Sequence, residues 1–423
     1  MLRALLILIL ACSQAGAEAV RSLSLEDAQR LALLNDARFL SAEQDKIIAR
    51  ERVREARYLF LPEFGLQASA TKYEARYPFS LSGESRNILL FPDQSVFGGS
   101  TGNIYSGRGY MHLSLYEGRR TINTLRLAQA AQKQADSAHE TVKMELLLSV
   151  KENFYRLLFA QRRASESEAI VKAAEVLVDS SKVEGFERVE AEARLSAARA
   201  KASDARQSLQ QSRLAFLKSI NLELDTPFQL VGDISSNPVS IEIERAVLWA
   251  IELRPELQSQ TYKAQMDAIS VNLAAARRIP TVFLAGDYEV TGYRFPLRQN
   301  NWDATIGIRI PFSYDYWSQL RQKRAEQRQG QLKRAELQDR VRLEVRQAYE
   351  SLQYWQNEWP LREGQYRKVQ ELFDLAAKAA GTTLARLRAM ESVYDLKLSY
   401  LNSLTEHIVA RSRLERAIGR ELQ

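Results

Sequence analysis

The chain is one design written twice. Leu25 to Pro62 aligns with Ile243 to Pro280 without a gap at a shift of about 218 residues, pairing Ala28 with Ala246, Ala32 with Ala250, Ala37 with Pro255 and Pro62 with Pro280. Further on the shift becomes about 195, pairing Leu125 with Leu320, Val150 with Val345 and Phe154 with Tyr349, so the first copy holds roughly 23 additional residues between Pro62 and Leu125. Each copy reads helix, strand, strand, long helix, reversal, helix. An internal two-fold structural repeat of this kind leaves each copy with faces it cannot bury alone, which argues for stacking and assembly rather than for an enzyme core.

The helical part is set by what is missing. Arg119 to Ser181 contains neither Gly nor Pro, and as one helix it would span on the order of 95 Å. Gly185 breaks it, and Glu187 to Ile220 resumes with Ala191, Leu195, Ala198, Ala202, Ala205, Leu209, Ser212 and Phe216 at alternating steps of four and three, a seam of small residues suited to close helix approach. In the second copy Trp317 to Ala380 and Thr383 to Ile418 take these parts around Gly381, with interruptions expected at Gly330, Pro360 and Gly364 and a kink near Gln356 to Pro360. Leu25 to Arg57 reads as a single helix capped by Ser24 with Asp27 three residues on, and Leu222 to Ile241 as an extended connector.

The strands alternate. Phe64, Leu66, Ala68 and Ala70 are interleaved with Gln67, Ser69 and Thr71; Met111, Leu113 and Leu115 with Tyr110, His112 and Ser114; Val282, Leu284 and Val290 with Asp287 and Glu289; Ile306, Ile308 and Ile310 with Thr305 and Arg309. Tyr73 to Asn103, between the first two, reads as a long loop. Charges at alternate positions of an apolar strand put water on one face and something oily on the other, which is either a second sheet or lipid. Asp287, Glu289, Asp303 and Arg309 are expected on the wet, pore-facing side. Four strands cannot close a barrel in lipid, so the lipid reading requires several chains.

The N-terminus reads as an export signal: Arg3, then the apolar run Ala4 to Ala11, then the small residues Ala15-Gly16-Ala17. Two processing sites compete, cleavage after Ala17 and lipidation of Cys12, the chain's single cysteine. With the first, the organisation is a signal peptide at 1–17, a first repeat at 18–222, a connector at 223–241 and a second repeat at 242–423. The 59 basic and 52 acidic residues are interspersed along helical stretches, as on solvated helix faces, and nucleic acid is not an expected partner. His112, His139 and His407 lack metal-ligand spacing and are expected at surface or pore-lining positions. No phosphate loop, nucleophile elbow or paired-cysteine motif is present, so no catalytic residue, metal or cofactor is expected.

The segments Arg54 to Tyr73 and Leu273 to Thr291, the connector Ile220-Asn221-Leu222-Glu223-Leu224-Asp225-Thr226-Pro227, the segment Glu252-Leu253-Arg254-Pro255-Glu256-Leu257 and the strand end Ile310-Pro311-Phe312 together resemble the TolC-like outer-membrane efflux proteins. The resemblance covers nearly the whole chain beyond the signal. It implies a membrane α+β fold, in which a homotrimer builds a twelve-stranded β-barrel, four strands per chain, in outer-membrane lipid, continuous with a long α-helical periplasmic barrel. It implies a periplasmic adaptor and an inner-membrane transporter as partners, and a periplasmic tip that closes and opens. Family members often carry acidic residues just after the second turn; here Thr383-Leu384-Ala385-Arg386-Leu387-Arg388 is basic, and the acids Glu184, Glu187 and Glu190 stand at the first turn. The tip set is therefore Glu184, Gly185, Glu187, Glu190, Gly381, Arg386 and Arg388, with Glu187 and Glu190 expected to pair with Arg386 and Arg388. A secreted coiled-coil scaffolding or binding protein with a soluble β-domain is the rival reading.

Overall fold

A computed structural model describes residues 21–75, 100–180, 185–377 and 382–422. In chain order the elements are β1 (Arg21–Leu23), α1 (Leu25–Asn35), α2 (Ala37–Tyr58), β2 (Glu63–Ala75), β3 (Ser100–Tyr116), α3 (Arg120–Ser180), α4 (Phe186–Ser219), β4 (Phe228–Leu230), α5 (Ile243–Leu253), α6 (Pro255–Ala276), β5 (Thr281–Gly292), β6 (Gln299–Arg309), α7 (Tyr316–Ala376) and α8 (Thr383–Ile418). The helices of the first half have 11, 22, 61 and 34 residues, and those of the second 11, 22, 61 and 36.

The chain packs as two compact units, each drawn from both halves: one from residues up to 47, 133–261 and 332 onward, the other from residues 48–132 and 262–331. The first unit is helical and holds two cores. In one, Leu146, Val150, Phe154 and Leu157 of α3 meet Phe216 and Leu217 of α4, Leu404 and Ile408 of α8, and Ala28 and Ala32 of α1. In the other, Val341, Val345 and Leu352 of α7 meet Leu414, Ala417 and Ile418 of α8, and Ala246 and Ala250 of α5. The residues that match between the copies, Ala28 with Ala246, Ala32 with Ala250 and Val150 with Val345, are all fully buried. Packing is thus what the two copies share: each buried alanine methyl contributes roughly 0.8 kcal/mol and each buried valine roughly 1.5 kcal/mol.

Several expectations are corrected. The helix expected over Leu25 to Arg57 is two helices, broken at Asp36 (φ −71°, ψ 119°), whose side chain accepts from the backbone N–H groups of Arg38 (2.9 Å) and Phe39 (3.0 Å). The connector contains β4, which pairs in parallel with β1. The α7 helix runs without interruption through Gly330, Pro360 and Gly364. A proline inside a helix costs about 3 kcal/mol, and packing offsets it: Trp359 lies against the first core and Arg362 reaches Ser399 of α8 (3.3 Å). The strands also reach further than expected, β2 to Ala75 and β3 back to Ser100, because each residue of that extension is paired across the two. Of the histidines, His139 and His407 are buried in the helical unit and are not at surface or pore-lining positions.

The second unit carries an antiparallel sheet in the order β2-β3-β5-β6. Two glycines on it sit under aromatic rings of the neighbouring strand: Gly65 beneath Tyr110, and Gly307 beneath Phe283. No helix among the described residues is long and apolar enough to cross a membrane.

Candidate functional site

Two places concentrate chemistry, one in each unit. On the sheet, register sorts the side chains by face. Asp287 is opposite Asp303 and Tyr110, Glu289 opposite Asn301 and Arg108, and Thr281 opposite Arg309, so Asp287, Glu289, Asp303 and Arg309 share one face with Arg108, His112, Gln67 and Ser69. The other face carries Phe64, Leu66, Met111, Leu113, Leu284, Tyr288, Trp302, Ile306 and Ile308, of which Phe64, Leu66, Tyr288, Trp302, Ile306 and Ile308 are exposed. Arg108 Nε sits 2.6 Å from Asp287 Oδ2, and Asp303 Oδ1 accepts from the Asp287 backbone N–H (3.1 Å). Ser69 and Ser106 hydroxyls meet across strands at 2.9 Å, and His112 stacks on Phe283 with ring centres 5.6 Å apart. At the sheet's edges, β2 and β6 have no further strand partner among the described residues.

The second place is where α4 and α8 begin. Gly185 precedes α4 in a left-handed conformation (φ 66°), with open space where a Cβ would stand, so its backbone and not crowding calls for glycine. Thr382 caps α8, its side chain accepting from the Ala385 N–H at 3.3 Å. From there the two helices run side by side in the same direction, joined by rungs of charge. Arg388 donates to Glu190 through Nη2 (2.5 Å) and Nε (3.1 Å), Arg194 joins Glu190 (3.0 Å) to Glu391 (2.6 Å), and Lys201 reaches Asp395 (3.2 Å). The hydrogen bonds from Arg388, then those from Arg194, hold the Glu190 carboxyl below its ordinary range. Beneath the rungs Ala174, Ala191, Leu195 and Leu387 form a small apolar seam.

Of the expected tip residues, the structure therefore joins Glu190 to Arg388 within one chain. Glu187 is exposed in the first turn of α4, where a negative charge suits the helix N-terminus, and Arg386 is partly buried on α8. Glu184, Gly381, Cys12 and the proposed cleavage site lie outside the described residues. Arg194, Glu391 and Lys201 were not singled out in the sequence; they stand at the helical spacing that continues the Glu190 rung, a signal visible only once α4 and α8 are known to be neighbours.

Residues 28–222 match the family described as outer membrane efflux protein. Over that stretch the chain is similar to this family. The fold of the whole chain matches the Campylobacter jejuni CmeC outer membrane channel, at 13% identity with a TM-score of 0.79, covering 93% of this chain and 85% of that one. It matches the outer membrane protein VceC of Vibrio cholerae, at 15% identity with a TM-score of 0.76, covering 94% and 97%. It also matches the open state of the Neisseria gonorrhoeae MtrE outer membrane channel, at 17% identity with a TM-score of 0.74, covering 94% and 89%. Among proteins with curated functions none matches the sequence. The resemblance to TolC-like efflux proteins read from the residues is thereby borne out.

Proposed function

We propose that the protein is the outer-membrane channel of a tripartite efflux or type I secretion system, giving substrates passive passage from periplasm to exterior when docked to an adaptor and an inner-membrane transporter. The observation that carries this is the two-faced sheet: its apolar face is exposed and its edges at β2 and β6 are open. An open sheet edge is not tolerated in lipid. Three copies joined edge to edge would form a closed barrel of twelve strands, with Asp287, Glu289, Asp303 and Arg309 lining the lumen and Leu284, Ile306 and Ile308 meeting lipid. The repeat boundaries 18–222 and 242–423 then give each chain two hairpins of strand and two of helix. The resting closure is assigned to the start of α4 and α8, where Glu190 and Arg388 zip one hairpin to the other and Glu187 and Arg386 stand beside them. Exposed pairs contribute only about 0–1 kcal/mol each, and three symmetry-related sets sum to a barrier that a docking adaptor can overcome.

Mass determination in mild detergent tests the assembly; a stable monomer would sink it. In the trimer, cysteines placed at 287, 289, 303 and 309 should react with a water-soluble thiol reagent while those at 284, 306 and 308 should not. Replacing Arg386 and Arg388 by Glu should raise single-channel conductance, with partial reversal when Glu187 and Glu190 become Arg. Unchanged conductance in an intact trimer would place the closure elsewhere.

A further inference from the structure

The ends of the sheet strands that connect to helices all fall at one edge, because β2 and β5 begin beside the finish of β3 and β6. At that edge the turn after β3 meets the turn before β5. Gly118 (φ 61°) lies so close to the Ile279 side chain that a Cβ would stand 2.6 Å from it. This contact brings together two arginine pairs, Arg119-Arg120 on one turn and Arg277-Arg278 on the other, and all four are exposed. Among the described residues none of the four forms an ion pair. The acids on the adjoining turns are already engaged, Glu117 by the Thr121 hydroxyl (3.1 Å) and Asp315 by Gln319. Arg277 donates to Gln319 Oε1, and the Arg278 guanidinium stands 5.9 and 5.8 Å from the ring centres of Tyr316 and Trp317.

Along the same edge Tyr116, Ile310, Phe312, Tyr314 and Trp317 are exposed, Phe312 at 90%. Cations with no carboxylate partner among the described residues, beside exposed aromatic rings and at the boundary between an apolar sheet face and charged helices, match the chemistry of a lipid headgroup layer. Guanidinium groups bind phosphate oxygens by charge-assisted hydrogen bonds, and rings with a polar tip settle at the glycerol level. We infer that the Arg119-Arg120 and Arg277-Arg278 turns form a binding site for the phosphate of an anionic phospholipid in the leaflet next to the helices, with Phe312, Tyr314 and Trp317 against its glycerol and upper acyl carbons. The inference rests on the reading of the sheet as part of a membrane barrel. Charge complementarity selects the ligand, and the position at the strand–helix boundary selects a lipid over an acidic protein.

The test is native mass spectrometry of the detergent-purified trimer titrated with phosphatidylglycerol and, separately, with phosphatidylethanolamine. Wild type should retain phosphatidylglycerol in preference. Arg277→Gln with Arg278→Gln should weaken phosphatidylglycerol binding about twenty-five-fold and change phosphatidylethanolamine binding by less than about twofold, because each cation at an anionic surface is worth roughly fivefold. Arg119→Gln with Arg120→Gln should do the same from the other turn, and Arg278→Lys should retain the preference. Equal phosphatidylglycerol binding by wild type and both double variants, or equal loss of both lipids, overturns the site. Trimer mass and single-channel conductance report separately on the channel: conducting trimers with unaltered lipid preference overturn the site alone, whereas failure to form any trimer overturns both.

Discussion

The two short-helix joints bend the backbone alike and hold it by different chemistry. In each an 11-residue helix ends at one extended residue and a 22-residue helix begins, and the turn after the last helix of that half touches the joint. Asn221 (φ 52°) donates to the Asn35 carbonyl at 2.7 Å, and Gly419 (φ 75°) packs on Leu253 and Arg254. At the first joint Asp36 caps α2 with its own side chain, a local device. At the second, Pro255 forbids helix at Arg254, whose side chain, only 2% exposed, reaches Glu256 (2.6 Å) and Glu344 (2.8 Å). Arg416 of α8 closes the network by bonding Glu344, Glu256 (2.7 Å) and Glu145 of α3 (3.2 Å). The same bend is a self-contained cap in one half and, in the other, a charge network around a buried arginine that ties α3, α6, α7 and α8 together. What the repeat preserves is geometry, while the strength and reach of its fastening differ.

That contrast can be broken most forcefully at the charge network. Arg254→Ala removes the most deeply buried member of the network while Arg416 still holds Glu256 and Glu344, and should lower stability by about 3 kcal/mol in chemical denaturation of the purified protein, the low end for breaking a buried pair. A loss below about 1 kcal/mol would make the two joints equivalent after all.

Acid should separate the cores on which the joints rest. His407, fully buried 6.3 Å from the Trp359 ring centre, has neither ring nitrogen partnered among the described residues, and burial, with a smaller push from Arg411, lowers its pKa to about 4 from 6.5. The folded state thus takes up its proton later than the unfolded one. Stability should fall as pH drops below the unfolded value near 6.5 and stop falling below about 4, by on the order of 3 kcal/mol per chain. His407→Leu should flatten that part of a stability-against-pH curve, and an unchanged slope would assign it to other groups.

Smaller effects test the first joint. Asp36→Ala should cost about 1 kcal/mol in the same denaturation measurement. Ala37→Pro imports the second joint's device at a first helical position whose preceding residue is already extended (ψ 119°), and should stabilise by about 0.5 kcal/mol. A destabilising proline there would show that the two bends differ more than their dihedral angles indicate.

The sequence carried much of this in its periods. The first long helix is legible because neither Gly nor Pro interrupts it, whereas Gly330, Pro360 and Gly364 hide the continuity of the second; the sheet faces are legible because strands alternate, so Asp287 and Glu289 separate from Leu284 without coordinates. The break at Asp36 was missed although its signal was present, since the repeat aligns Ala37 with Pro255 and a proline excludes helix at the residue before it. The β1–β4 pair has three residues in each strand, too short for any period to register. Burial of His407 and Arg254 depends on which helices become neighbours, and composition says nothing about that. The Glu190–Arg388 pair is intermediate: both charge clusters stand out in the sequence, but their meeting within one chain follows only from α4 and α8 lying side by side.

The glycines beneath Tyr110 and Phe283 carry a consequence for calibre. With no Cβ at Gly65 or Gly307 the rings lie down across the neighbouring strand on the charged face instead of standing away from it. In the proposed trimer that face bounds the passage, so a methyl group at either position would tilt a ring inward at three symmetry-related points and narrow the clearance available to a bulky solute. In that trimer the width of the passage would be set in part by two residues that have no side chain to project into it.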